Sequence, residues 1–190
     1  MVFVRLTGCP LRCVYCDTEY AFQGGEQKSF LDIVTQLNHY NTDFVCVTGG
    51  EPLAQKECHE LLKQLCDMGK YVSLETSGAL DISQVDPRVS IVMDLKTPAS
   101  GEETKNKIDN LEYLKPSDQI KFVLSDLSDY DWAKNMIAEH RLDERFEVLM
   151  SPVWQKLSAT DLANKIISDQ LAIRMQVKLH KILWGDEPGK

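Results

Sequence analysis

Short apolar runs rich in β-branched residues recur along the chain, separated by stretches in which apolar positions return every three or four residues. The runs are VFVRL (2–6), FVCVT (44–48), YVSLE (71–75), SIVMD (90–94), QIKFVL (119–124) and FEVLM (146–150). Each is short and nearly continuous, the pattern of a strand covered on both faces. Between them the spacing becomes helical. Ser29 opens a segment with Phe30, Ile33, Val34 and Leu37 on one face. A second helix, from about Lys56, turns Cys58, Leu61, Leu62 and Leu65 inward and closes at Gly69. A third runs from about Ser128 to His140 around Trp132, Met136 and Ile137. A fourth follows Ser158 through Leu162, Ile166 and Ile167, and a strand-like LAIRMQV (171–177) comes after it.

Strand followed by helix, repeated, predicts right-handed βαβ units and a parallel sheet. The fold class is therefore α/β, with about six parallel strands in an open doubly wound sheet or a partial barrel. In both, ligands are handled at the carboxyl ends of the strands. The residues falling there are the loop GCPLRCVYCDT (8–18), TGGEP (48–52), ETSG (75–78), DLKTP (94–98), SD (125–126) and SP (151–152). With no internal repeat, low-complexity tract or linker-like stretch, residues 1–190 read as a single domain: a core over 1–170, then a C-terminal strand and tail over 171–190.

Composition removes several functions. A formal net charge of −8 argues against a nucleic-acid surface, which needs a clustered basic footprint. No apolar run reaches the length of a membrane span, and MVFVRLTGC is too short and wrongly flanked for a signal peptide. The compartment expected is the cytoplasm, where six cysteines are better read as metal ligands or buried thiols than as disulfides.

Three of those cysteines, Cys9, Cys13 and Cys16, have the spacing C-x3-C-x2-C directly after the first strand. One reading is a structural zinc site completed by a distant residue, for which Cys46, Cys58, Cys66 and His180 are candidates. The other is a [4Fe–4S] cluster with one iron left open for a small molecule. In VTGGEP, Thr48 ends a strand, two glycines let backbone come close to a neighbour, Glu51 offers a carboxylate and Pro52 starts the next turn.

Together the cysteine loop, its aromatic-Cys pair Tyr15–Cys16, and GGEP after the second strand resemble the radical S-adenosylmethionine superfamily. RLTGCPLRC-x-YCDT, CDTEYAFQGGE, VTGGEPLAQ, SLETSGA, DLKTP and the tail LHKILWGDEPG are similar, within it, to the 7-carboxy-7-deazaguanine synthases. That resemblance covers most of the chain and implies an incomplete TIM-like barrel with few helices. The implied activity is a lyase-type radical ring contraction of 6-carboxy-5,6,7,8-tetrahydropterin to 7-carboxy-7-deazaguanine, with loss of ammonia, in queuosine biosynthesis. A [4Fe–4S] cluster, S-adenosylmethionine and Mg2+ are the implied cofactors. In the implied chemistry the cluster would supply an electron to S-adenosylmethionine, and a hydrogen atom would be taken from the pterin.

By position, the resemblance gives Cys9, Cys13 and Cys16 to the cluster and Tyr15, Asp17 and Gly50 to the S-adenosylmethionine site, with the GGEP carbonyls and Glu51 receiving the methionyl ammonium. Asp94 and Lys96 stand where the family carries Ser-Pro-Lys; both are counted with the cofactor site, although only the lysine matches. Ser151 is a further cofactor-facing position. Thr18 is the implied magnesium ligand. Arg5, Thr48 and His180 are the implied substrate contacts, and Glu75 the carboxylate that exchanges a proton with the pterin ring. The family also carries a Leu-Gln-Gly-Glu segment before the first strand, which is not in this sequence beginning at MVFVRLTG. The implied partners are a flavodoxin or ferredoxin as electron donor and a second copy in a homodimer, with Trp184 as a contact candidate. Two alternatives share part of the pattern: an activating enzyme that makes a glycyl radical on a partner protein, and a non-catalytic zinc module.

Overall fold

The structure, a computed structural model, describes residues 1–185 and Glu187, so the last part of the tail motif LHKILWGDEPG lies outside the described residues. The chain forms two compact units. The first holds Met1–Arg12, Asp17–Met93 and Lys107–Leu114, and the second holds Cys13–Cys16, Asp94–Asn106 and Lys115–Lys190.

In the first unit β1 (Val2–Leu6), β2 (Phe44–Gly49), β3 (Tyr71–Thr76) and β4 (Ser90–Asp94, its last residue counted with the second unit) lie in chain order. Every pairing is parallel, with Arg5 opposite Thr48, Val47 opposite Leu74 and Glu75 opposite Val92. Helices α1 (Phe30–Leu37) and α2 (Cys58–Asp67) connect them. Ser29 caps α1 through a reciprocal capping box with Asp32. Gly69, at φ +78°, takes the left-handed turn that ends α2. Val45, Val47, Leu62, Leu65, Val72, Leu74, Ile91 and Met93 are buried to 3% exposure or less. Each such side chain contributes about 1.5–3 kcal/mol relative to being left in water. Cys46 and Cys58 are buried among them.

The second unit carries β5 (Gln119–Leu124), α3 (Leu127–His140), α4 (Leu142–Arg145), β6 (Glu147–Pro152), α5 (Ala159–Asp169), β7 (Arg174–Met175) and α6 (Leu179–Trp184). β5, β6 and β7 are again parallel and in chain order. Ile120, Phe122, Leu124, Tyr130, Leu142, Val148, Met150 and Leu162 make its core. In α3 the deepest aromatic is Tyr130 rather than the expected Trp132: its hydroxyl donates to Asp169, 3.0 Å away on α5.

The six expected strands are present, within two residues at their ends, and the α/β class with parallel strands holds in each unit. The run 171–177 supplies only the two-residue β7. Leu171 is spent closing α5, its N–H donating to Ile166 C=O (3.2 Å), while Gln170 takes a left-handed conformation at φ +53°. The short helices α4 and α6 were not foreseen, having too few turns to show a period.

The glycines of the GGEP turn serve the chain itself. A Cβ on Gly49, which sits at φ +143°, would lie 1.9 Å from Leu6 O, and one on Gly50 would lie 2.3 Å from Gly8 O. The backbone closes across this gap through Gly50 N–H to Leu6 C=O (3.0 Å) and Glu51 N–H to Gly8 C=O (2.8 Å). The close approach expected toward a ligand is therefore first an approach to the end of β1. Replacing Gly49 with alanine is expected to lower stability by about 3 kcal/mol or more, since it adds both left-handed strain and a clash with backbone. Urea denaturation measures this, and an unchanged midpoint would contradict it.

Candidate functional site

The cysteine loop is held by its own backbone and by the elements beside it. In the first unit the Arg12 guanidinium donates to Cys9 C=O (2.7 Å) and Leu11 C=O (2.6 Å) and stacks over the Phe22 ring at 4.4 Å. In the second, Cys16 N–H donates to Cys13 C=O (3.1 Å), closing a turn, and Val14 N–H donates to Ser100 C=O (3.0 Å). Tyr15 is half-buried, and its hydroxyl donates to Val123 C=O (3.0 Å) on β5. Burial pushes its phenol well above the ordinary range, with the Asp94 carboxylate adding to the rise. Burial also raises the Cys13 thiol, Lys96 pulls it back down, and Asp94 pushes it up again.

Cys9, Cys13 and Cys16 are all half-buried, and none of the six cysteines is in a disulfide. This donor set fits an iron–sulfur cluster, which takes thiolates from one loop. The zinc alternative needs a fourth ligand, and the three cysteines among its candidates are buried in strand and helix. Burial pushes the Cys58 thiol up to about 12, with the charge of Glu51 adding to it. Burial raises Cys66 as well, and Cys46 is buried in the middle of β2. Among the described residues no three His, Cys, Asp or Glu side chains converge on a position for a single ion.

Three expected substrate-side residues fall into one row in the first unit. Arg5 on β1 is in register with Thr48 on β2, and the β2–β3 register continues from Val47–Leu74 to place Thr48 beside Glu75. Residues in register on parallel strands point to the same face. The row is bonded: Thr48 Oγ1 donates to Glu75 Oε2 (3.1 Å). Thr48 is buried, Glu75 half-buried and Arg5 exposed, with its guanidinium 5.7 Å from the Tyr20 ring. Thr18 precedes the turn Glu19–Ala21 without capping it, and its hydroxyl donates instead to Asp17 Oδ1 (2.8 Å), bringing two hard oxygens together.

Glu51 is fully buried and accepts four hydrogen bonds: Leu53 N–H (3.1 Å) and Thr76 Oγ1 (2.9 Å) on one oxygen, Ser77 N–H (2.7 Å) and Ser77 Oγ (2.5 Å) on the other. A carboxylate has about four acceptor sites, so this one is filled. The expectation that Glu51 receives a ligand ammonium gives way to a bracing role between the GGEP and ETSG turns.

In the second unit, Leu95 N–H donates to Lys121 C=O (2.9 Å). In a parallel ladder that bond aligns Leu95 with Phe122, turning Asp94 and Lys96 to the face shared by Val123 and Ser125. Ser151, in register with Val123, points the same way. Lys96 Nζ contacts Asp94 Oδ2 at 2.8 Å, and the pair is only 12% and 22% exposed. Burial opposes the charge of Lys96, but Asp94, Cys13 and Tyr15 together outweigh it and leave the ammonium held above its ordinary value. Three buried atoms on this face have no hydrogen-bond partner: Asp94 Oδ1, Ser125 Oγ and Ser151 Oγ. Buried polar atoms are rarely left so, and a polar ligand fits them.

Sequence reasoning passed over two residues that shape this face beside Ser125 of the strand-end SD pair. Asn106 clasps Lys96 through its side-chain amide, accepting from Lys96 N–H and donating to Lys96 C=O, both at 2.8 Å. Asp129 is buried and receives Ala99 N–H (3.0 Å) and Ser125 N–H (2.9 Å). The Asp four residues after Ser125 is the sequence signal for this grip. His180 lies half-buried in the first turn of α6, in the second unit.

The radical SAM superfamily model matches residues 3–96. The chain is similar to the 7-carboxy-7-deazaguanine synthase of Koribacter versatilis, at 38% identity over 98% of this chain and 89% of that one. It is similar to those of Chlorobaculum tepidum (39%; 97% and 86%) and Thermoplasma acidophilum (34%; 100% and 90%). Among solved structures, QueE from Escherichia coli superimposes with a TM-score of 0.72 at 22% identity, over 93% of this chain and 84% of that one. Streptococcus suis SuiB bound to S-adenosylmethionine gives a TM-score of 0.64 at 15% identity, over 93% and 49%. At these identities the structures speak for the fold.

The brace at Glu51 can be tested without any ligand. Glu51→Gln places an NH2 group against the N–H or hydroxyl donors that now point at a carboxylate oxygen. A loss of about 2–3 kcal/mol is expected in urea denaturation; a change within experimental error would mean that the four bonds do not brace the turns.

Proposed function

The chain belongs to the 7-carboxy-7-deazaguanine synthase family of radical SAM enzymes, and from that premise we propose how its own side chains carry the ring contraction that makes 7-carboxy-7-deazaguanine. It is a radical SAM enzyme of queuosine biosynthesis, and the family carries a [4Fe–4S] cluster and S-adenosylmethionine. When bound, these supply one-electron reduction and abstraction of a hydrogen atom from substrate. The residues that would hold the cluster are Cys9, Cys13 and Cys16.

The substrate in this proposal is 6-carboxy-5,6,7,8-tetrahydropterin, and the row Arg5–Thr48–Glu75 carries the assignment. Arg5 offers a fork of N–H donors suited to a carboxylate. Thr48 holds one oxygen of Glu75 at 3.1 Å, which leaves the other free in direction to take or return a proton at a pterin nitrogen. Asp17 and Thr18 present neighbouring hard oxygens, 2.8 Å apart, for Mg2+, which would orient the substrate carboxylate. His180 is a further substrate contact in the proposal, and Gly50 and Asp17 further cofactor contacts. Tyr15, anchored on β5, keeps the last cysteine in place and excludes water beside it. Lys96 stands by Cys13 as a buried cation beside a group that must become a thiolate. Asp94 and Ser151 offer buried acceptor and hydroxyl atoms to S-adenosylmethionine.

The electron donor we assign is a flavodoxin or ferredoxin, and the assembly a homodimer. Among the described residues no helix is long and apolar enough to cross a membrane; a cytoplasmic location is part of the proposal.

Anaerobically reconstituted protein should bind about four irons and four sulfides per chain and convert the pterin in the presence of S-adenosylmethionine and reductant. Cys13→Ala is expected to lose both the charge-transfer absorption and all turnover. Full activity in that variant would overturn the ligand assignment. Glu75→Gln should keep the absorption spectrum while kcat falls by roughly 10²–10⁴, and an unaltered kcat would remove Glu75 from the proton transfer. Thr18→Ala should raise the Mg2+ concentration needed for half-maximal rate by about tenfold. If the rate of the wild-type protein does not respond to Mg2+ at all, the metal falls out of the mechanism.

A further inference from the structure

At the amino ends of β1, β2 and β3 the first unit carries an aromatic surface that the proposed chemistry leaves unused. Phe44 and Tyr71 are in register on β2 and β3, and their rings stack with centroids 5.1 Å apart. Phe3, in register with Cys46, lies on the same face one side-chain repeat along. Tyr40 and Met68 stand in the turns that lead into β2 and β3. These five large side chains are between 44% (Met68) and 67% (Tyr71) exposed. Phe44 and Tyr71 share the face of Thr48 and Glu75, but they stand about 13 Å back along the strands. A ligand held at the carboxyl ends therefore does not cover them. An electron donor has to come to the cysteine loop, which follows the opposite end of β1, and gains nothing here.

Area and charge both fit a second copy of the chain. With about 200 Å² for each large side chain, five of them roughly half exposed offer about 500 Å² per copy, or about 1,000 Å² in a pair. That is close to the apolar share, about 57%, of a standard interface of about 1,600 Å². The charges beside the rings are self-complementary. Asp43 precedes Phe44 and Lys70 precedes Tyr71, and the two are paired at 2.8 Å, so each copy brings one charge of each sign. About a two-fold axis Lys70 of one copy can face Asp43 of the other. Two chains of net charge −8 are thus brought together on a face whose own charges cancel. We propose that this aromatic surface, centred on Phe44 and Tyr71, is the face through which two copies of the chain associate about a two-fold axis. The proposal rests on the homodimer reading above and adds where the contact lies.

The test is light scattering after gel filtration of the anaerobic, cluster-loaded protein over a dilution series. Wild type should run at twice the chain mass of 21.6 kDa. Tyr71→Glu and Tyr71→Lys each set like charges against each other across the axis, and each should raise the dimer dissociation constant at least about tenfold. An equal mixture of the two variants brings Glu against Lys and should recover the dimer, which chains that had merely misfolded would not do. Loss of the dimer in both variants without recovery in the mixture would overturn the proposal. So would a dimer that tolerates both Tyr71 variants, and its loss in Trp184→Glu would then place the contact on α6. These outcomes leave the homodimer reading standing. A wild type that stays monomeric throughout the series would overturn that reading, and the proposed face with it.

Discussion

The carboxylate of Glu51 is the constraint on which the first unit's strand-end geometry depends. It has no solvent exposure and four donors, so its desolvation is offset by hydrogen bonds rather than by an opposite charge. Those donors come from two places, Leu53 after β2 and Thr76–Ser77 at the end of β3. The ends of adjacent strands are thereby locked to each other. The lock also fixes the register at the level of Thr48 and Glu75, one step back along the same strands, where the row of polar side chains begins. On the other side of β2, Gly49 and Gly50 let the backbone close on β1 with no side chain between. Glu51 and the two glycines therefore act on opposite flanks of one turn, which accounts for three consecutive residues of GGEP without calling on any ligand.

Much of this was legible from the sequence, and the parts that were not share a cause. The six long runs became strands because a continuous apolar stretch of that length has few other ways to be buried. Ser29 and Ser158 marked helix starts because a side-chain acceptor there satisfies N–H groups that have no helical partner. The alternation of Val4, Arg5 and Leu6 set the face of Arg5, and strand register did the rest, aligning it with Thr48 and Glu75. What stayed hidden were relations set by packing between elements distant in sequence. The role of Glu51 depended on Ser77, 26 residues away. The clasp of Asn106 on Lys96 and the grip of Asp129 on Ala99 cross between separate turns. No period or motif encodes such contacts, because they depend on where two turns meet after folding. The same holds for β7, where a strand-like run lost its first residues to the helix closure before it.

The polar atoms at the strand ends divide into two kinds, and the division follows from how each is paired. Glu51 and Asp129 are buried and engaged with backbone or hydroxyl donors, and the half-buried Asn106 is bonded to both backbone groups of Lys96, as groups that hold a frame must be. Asp94, Ser125 and Ser151 are buried or nearly so and left with an atom unpaired. A frame residue can be recognised by the completeness of its bonds, and a ligand-facing residue by their incompleteness, since burying an unpaired polar atom has no structural return. Asp94 shows both at once: one oxygen is fixed by Lys96 and the other is open. That asymmetry makes the departure from Ser-Pro-Lys at this position chemically specific. A serine could donate or accept, whereas a carboxylate aimed by a lysine can only accept, so the group it meets must bring the hydrogen.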